Sequence, residues 1–533
     1  MNLYMQFIDC VFSAFFNELM NAGEVHNLLS CGYYAYLPCV TAAIIFVSGE
    51  NIMSENRLVV IFCAIYFIAM IGIGIFAAFR NKKTSDYLVA GRKLGVIMTS
   101  LTLAAVQIGV GIVLSGATNG YKLGMWPGMY YAIGCGGGLI LAGVLVTRKL
   151  RAQEGYVPID YFAQRYGDSR GLRFWAWLSN IPSLLGIFIA QMLACGGILA
   201  TFGIPFKWGV IITAVVILIY CTIGGMWGVV LTDMIQTAII MVAIPIFMII
   251  ILVKFSQDGG DVSGIFITPF IPHGMWTRFI YLVLPFFLSI SVSYDAYARI
   301  QSAKDVETAR KGCIYGGIIV LIIGGMCSVI GVAAARLFPG VDDGIFTLAA
   351  TKVLPPAVAG IVIAAILSAA MSSANCVILS LGSSFSRDFY NKVLHPDVED
   401  LDKLPHSKII SQLTVLIGSL VGIYFAFHMT SILDAMIIFN YPYMGSIIIP
   451  LLGGLLWRDA TRKGAFAAAV CGGIVGTVSF FIGIPVGPLS GLMNTDLSLM
   501  IAYAVSLVVF VIVSVTDKEG QRQNEIRRGR LNA

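Results

Sequence analysis

The sequence predicts an all-α polytopic membrane protein, and three observations carry that expectation. Of 533 residues, 58% are hydrophobic and only 12% are charged, a balance foreign to ordinary soluble proteins of several domains. Apolar runs of about 20 residues recur from residue 58 to residue 516, separated by short polar or Gly/Pro-marked loops, which is the pattern of spanning helices and not of a barrel. Assigning alternate loops to opposite sides puts all of the 34 lysines and arginines on one side except Arg57, Lys122, Lys207, Lys254, Arg278, Arg336 and Lys352. That asymmetry predicts a cytoplasmic C-terminus.

The apolar runs give thirteen spans, roughly 58–79, 96–120, 129–147, 173–200, 209–224, 232–254, 276–297, 311–336, 357–384, 409–428, 431–456, 464–484 and 497–516. Residues 1–57 form an N-terminal extension. Its apolar piece, Tyr33–Ser48, is interrupted by Pro38 and short for a span, no basic segment precedes it as in a signal peptide, and Met53 offers an alternative start.

The second span places Gly109, Gly111 and Gly116 among apolar residues and interleaves Gln107, Ser115, Thr118 and Asn119. An interrupted helix is expected, because freed carbonyls at membrane depth need water, a protein partner or a cation; close helix packing through glycine is the other reading. Between the fifth and sixth spans, GGMWGVVLTDMIQ (Gly224–Gln236) suggests a sharp turn in which Gly-Gly ends one helix and Thr232 or Asp233 caps the next. The seventh span holds Pro285 and a polar end, Ser289, Ser291, Ser293, Tyr294 and Asp295, where Asp295 is placed to pair with Arg299 one turn on. From Ala298 to Gly312 the chain reads as a charged amphipathic loop.

The ninth span, Ala364–Tyr390, is long enough to cross a bilayer yet carries Ser368, Ser372, Ser373, Asn375, Ser380, Ser383 and Ser384. Such a helix does not face lipid all round, and helical spacing lets the Ala369 carbonyl converge with the Ser372 and Ser373 hydroxyls. Each serine bonding its own backbone is the plainer alternative. In the eleventh span Pro442 invites a kink beside Asn440, Tyr441 and Tyr443. Residues 517–533 are a basic tail.

Other function classes find little support. The formal charge of +6 is scattered over membrane loops, so it reports orientation and not nucleic-acid binding. Eleven cysteines lie singly with no CxxC pair, which argues against a disulfide framework or a zinc site. The five histidines sit in loops or near span ends with no nucleophile–base pair, so neither an enzyme nor an organic cofactor is expected.

The thirteen spans, the glycine-broken second span, the GG…TD..Q turn and the Ser-Ser pair followed by a polar run ending DFY together resemble the sodium:solute symporter family, which includes sodium-coupled transporters of sugars, proline, choline, iodide and pantothenate. The likeness covers residues 54–516 and is most specific over Gly224–Gln236 and Ala364–Tyr390. MSSANCVILSLGSSFSRDFY looks like the corresponding helix of the choline-transporting branch, although that branch carries Asp where this chain has Asn375.

The resemblance implies a LeuT-like architecture of two inverted five-helix repeats, here residues 96–254 and 276–456, with residues 58–79 and 464–516 as peripheral spans. It implies a sodium site formed by the Ala105 and Ile108 carbonyls of the second span with Ala369, Ser372 and Ser373 of the ninth; the glycine spacing allows a register one residue away in the second span. A second sodium site of some members uses an acid on the fourth span. Here that span contains no Asp or Glu, which argues for one coupling ion. By position the substrate-facing residues are Gln107, Gly109, Gln191, Ser291, Tyr294, Asn440 and Tyr443. The expected function is sodium-coupled import of a small polar organic solute by alternating access, by a monomer in the lipid of a bacterial inner membrane. A proton-coupled or uncoupled transporter of the same fold, or a membrane sensor, are the alternatives.

Overall fold

The computed structural model describes residues 57–531 apart from 82, 168, 291–292, 343, 399–400, 430–439 and 483–493, and it leaves out the side chains of 441, 479–482, 494–498 and 526–531. The expected N-terminal extension up to residue 56, Ser291 and the first part of the eleventh span lie outside the described residues.

The apolar sequence forms α1 (Arg57–Ala78), α2 (Val96–Gln107), α3 (Val110–Leu123), α4 (Met125–Leu141), α5 (Arg170–Ala200), α6 (Phe206–Gln257), α7 (Trp276–Ser289), α8 (Tyr294–Ser302), α9 (Val306–Leu337), α10 (Pro356–Ser384), α11 (Ser407–His428), α12 (Tyr441–Leu456), α13 (Arg462–Ile482) and α14 (Asn494–Thr516). Among the described residues nine helices have the length and composition to cross a membrane, and α2 with α3, bent by 55° at their junction, makes a tenth.

Helix α6 has 52 residues and would extend about 78 Å if straight, more than twice the hydrocarbon core of a bilayer. It reverses instead. Gly225 sits at φ 49, ψ −146, and a Cβ on Gly228 would stand 2.7 Å from the carbonyl of Tyr220, eight residues back, where a straight helix would separate the two by about 12 Å. The Gly-Gly pair therefore makes the turn read from the sequence. A side chain at Gly225 would also meet the Tyr87 ring at 2.5 Å. Gly225→Ala is expected to cost about 1–3 kcal/mol and lower the melting temperature of the purified protein in detergent.

Helix α10 is the centre of the packing. In its most apolar stretch 94% of residues are buried, against 39% for α1, and it lies against α1, α5, α6 and α11. Its whole polar seam, from Ser368 to Ser384, is inside protein. This placement follows from chemistry, since hydroxyl and amide groups in hydrocarbon need partners. Helix α9 packs along α4, where Gly136 and Gly317 let the backbones approach closely.

The Ala298–Gly312 segment differs from the expected loop. Glu307 does pair with Arg310 and Lys311 at 3.4 and 3.8 Å. Arg299, however, is on α8 and fully buried, and α8 is tied down by Leu94 N–H donating to the Ser302 carbonyl and by Gln301 Nε2 donating to the Leu150 carbonyl.

Candidate functional site

The site starts at the break between α2 and α3. In a continuous helix the Ala105 and Val106 carbonyls would accept from the N–H groups of residues 109 and 110. Here Gly109 N–H turns back to the Gln107 carbonyl at 2.9 Å, and Val110 N–H goes to Gln191 Oε1 at 3.3 Å. The two freed carbonyls face α10. Ser372 Oγ donates to Ala105 O at 2.9 Å and is 3.1 Å from Ala369 O, while Ser373 Oγ donates to Val106 O at 2.9 Å.

This close approach requires glycine at 109, where a Cβ would stand 2.6 Å from Ser373 Oγ. The structure thus brings Ala105, Ala369, Ser372 and Ser373 together and adds Val106. Ile108 caps the end of α2, with its N–H donating to the Ala104 carbonyl at 2.9 Å, and the N–H groups of Ile112 and Val113 donate to the Gly109 carbonyl. The oxygen-only set of main-chain carbonyls and hydroxyls is the chemistry a hard monovalent cation takes.

Beside this contact lies a cavity of about 70 Å³ lined by the α2–α3 break and by α4, α5, α7, α8, α10 and α12. Gln107, Gly109, Gln191, Tyr294, Asn440 and Tyr443 all line it, together with Ser373 from the cation-type cluster. Ser183 donates to Asn440 Oδ1, which fixes the amide at the wall. Two aromatic pairs also border the space: Tyr131 with Phe286, centroids 4.6 Å apart, and Tyr294 with Tyr443 at 5.9 Å. Tyr131 and Phe286 carry no polar signal inside apolar spans, so sequence spacing did not select them.

A second cluster lies one turn away along α2 and α10. Asp233 and Arg299, both fully buried, form an ion pair at 3.0 Å. Asp233 Oδ1 accepts from Asn375 Nδ2 at 3.1 Å and Oδ2 from Thr102 Oγ1 at 2.5 Å. Arg299 Nε donates to Thr102 Oγ1 and O, Nη1 to the Asp295 main-chain carbonyl at 3.0 Å, and Nη2 also contacts Cys376.

Two sequence expectations are corrected here. Asp233 is an ion-pair partner inside the protein and not a helix cap, and Arg299 pairs with it in preference to the Asp295 carboxylate. The signal was in the sequence: Thr232, Asp233, Gln236 and Thr237 fall on one helical face, and that polar stripe points inward, with Gln236 donating to Tyr66 and Thr237 to Leu101 O.

A third network joins the cavity wall through Tyr294. Arg173 bridges Asp160 at 3.1 Å and Asp388 at 3.2 Å, Arg387 also reaches Asp160, and Tyr294 donates to Asp388 Oδ2 at 2.9 Å. Burial by itself would raise the Asp160 carboxyl, but Arg387 and Arg173 hold it well below the usual carboxylate range. Among the described residues no group of His, Cys, Asp and Glu is arranged to hold a metal ion. The eight described cysteines are free thiols.

Residues 87–472 match the sodium:solute symporter family. The chain is 25% identical over 483 residues to an osmoregulated proline transporter of Bacillus subtilis, covering 86% of this chain and 95% of that protein. It is 24% identical over 442 residues to a sodium/pantothenate symporter of Escherichia coli, covering 77% and 88%. A solved sodium-coupled sialic acid symporter in a substrate-bound outward-open state superposes with a TM-score of 0.70 at 19% identity, over 86% of this chain and 98% of that one. With a family match over most of its length, the chain belongs to the sodium:solute symporter family, and it is an integral membrane transporter that moves a small molecule with sodium and not an enzyme.

Proposed function

We propose that sodium binds where α2 breaks against α10 and that its binding drives import of a small polar organic solute through the adjoining cavity by alternating access. Ala105, Ile108, Ala369, Ser372 and Ser373 supply the oxygens, with Val106 as the neighbouring carbonyl. The observation that carries this reading is the pairing of Ser372 with Ala105 and of Ser373 with Val106 at the wall of the cavity. An ion there ties the broken helix to α10, and it shifts the conformational balance by as much as it prefers that arrangement.

Gln107, Gly109, Gln191, Tyr294, Asn440 and Tyr443, with Ser291, form the solute side. The repeats are residues 96–254 and 276–456 among thirteen spans, with 58–79 and 464–516 outside them. The C-terminus is cytoplasmic, in a bacterial inner membrane, and the monomer is the working unit. With a neutral solute and one cation, the membrane potential adds about 2.3 kcal/mol per 100 mV to the driving force.

The test is uptake into proteoliposomes of labelled amino acids, sugars, carboxylates and amines, with either a sodium or a proton gradient imposed at equal potential. Accumulation above equilibrium is expected with the sodium gradient. Accumulation driven by protons in sodium-free buffer would overturn the ion assignment, and equilibration without accumulation would favour an uncoupled carrier.

A further inference from the structure

Four acidic side chains are buried among the described residues, and three of them have an arginine: Asp160 and Asp388 share Arg173, and Asp233 has Arg299. Asp295 is the exception. It is 8% exposed, and its carboxylate takes a single hydrogen bond, a long one of 3.3 Å from Gln107 Nε2. Arg299, one turn along α8, feels the Asp295 charge only at longer range, because its guanidinium hydrogen bonds go to Asp233, Thr102 and the Asp295 main-chain carbonyl.

A carboxylate removed from water with one weak donor is costly unless a cation joins it. Asp295 lines the cavity, and it is the one charged side chain that does, with no Lys, Arg or His in the described lining. The cavity supplies the rest of a cation's surroundings. Tyr131 with Phe286 and Tyr294 with Tyr443 are its aromatic walls. Ring faces attract a weakly hydrated organic ammonium, whereas sodium prefers a shell of oxygens such as α2 and α10 offer.

We propose that the transported solute bears a positively charged nitrogen, as a cation or a zwitterion, and that Asp295 is its counter-ion between the two aromatic pairs. The inference rests on the cavity being the solute site of a sodium symporter. It sets Asp295 apart from Gln107, Gln191 and Asn440, which bind through neutral hydrogen bonds that many polar solutes can share.

The experiment uses the full chain in proteoliposomes with four labelled probes: choline, L-proline, pantothenate and D-galactose. Each is offered under an inward sodium gradient and, separately, under an inward proton gradient. Choline, L-proline or both are expected to accumulate, and pantothenate and galactose are not. Asp295→Asn is expected to raise the KM of the accumulated probe at least tenfold while the shift in melting temperature on adding sodium persists, which shows a folded, ion-competent protein. Asp295→Glu, which keeps the charge, is expected to recover part of the loss.

Accumulation of pantothenate or galactose, failure of both choline and L-proline to accumulate under either gradient, or a KM within twofold of the parent in Asp295→Asn would overturn the proposal. The two readings fail separately. Galactose driven by sodium removes the counter-ion and leaves the coupling ion, whereas choline or L-proline driven only by protons removes the coupling ion and leaves Asp295 in its role.

Discussion

Arg299→Ala is expected to destabilise the folded chain by about 3–5 kcal/mol. The reason is what the change leaves behind. Asp233 would keep Asn375 and Thr102 as donors but lose its counter-charge, and Thr102 O and the Asp295 main-chain carbonyl would each lose a donor in a place without solvent. A double change, Arg299→Met with Asp233→Leu, removes both charges and is expected to recover much of the loss, because a buried pair is often matched by apolar side chains of similar volume. Asp233→Asn, which keeps much of the hydrogen bonding, falls between them. Thermal unfolding of the purified variants in detergent ranks the three, and the ion-pair account fails if the double variant melts lower than Arg299→Ala.

The second large effect is on sodium. Ser372→Ala combined with Ser373→Ala is expected to raise the sodium concentration for half-maximal uptake at least tenfold, with the solute KM at saturating sodium much less affected. Two hydroxyl oxygens leave the cluster, and the Ala105 and Val106 carbonyls lose the donors that satisfy them, at about 1–3 kcal/mol each. Stability should fall too, so the readout is the ratio of sodium dependence to total uptake in protein that still elutes as a single species. A sodium dependence equal to that of the parent would show that the ion binds elsewhere.

Much of this arrangement was legible in the sequence because membrane chemistry is strict. A glycine-rich stretch with Gln107 inside an apolar run had to break or pack closely, and it does both at Gly109. The serine seam of α10 had to be inside. Six of the seven positions chosen as solute-facing line one cavity, and Ser291 lies outside the described residues.

What spacing could not reach was partner choice across the fold. Asp233 and Arg299 are 66 residues apart, and each had a plausible local task, a cap and an i,i+4 pair, that the sequence offered first. Tyr131 and Phe286 were silent for another reason: a ring in an apolar span looks like packing until the space beside it is known. The glycine spacing allows two registers at the break, and Val106 beside Ala105 shows why, since both carbonyls are freed by the same turn.

The pairing of Ser372 with Ala105 and Ser373 with Val106 has a consequence for turnover. If these oxygens hold the coupling ion, loading is an exchange, in which hydroxyl protons give up their carbonyls as the cation takes them, and unloading is the reverse. The empty carrier then keeps its freed carbonyls satisfied and meets little penalty on the way back. Binding at such a site would be moderate, because the ion would have to outcompete hydrogen bonds already made, and an ion bound only moderately would leave quickly on the far side. The serine pair would in this way set the pace of the cycle as much as its selectivity.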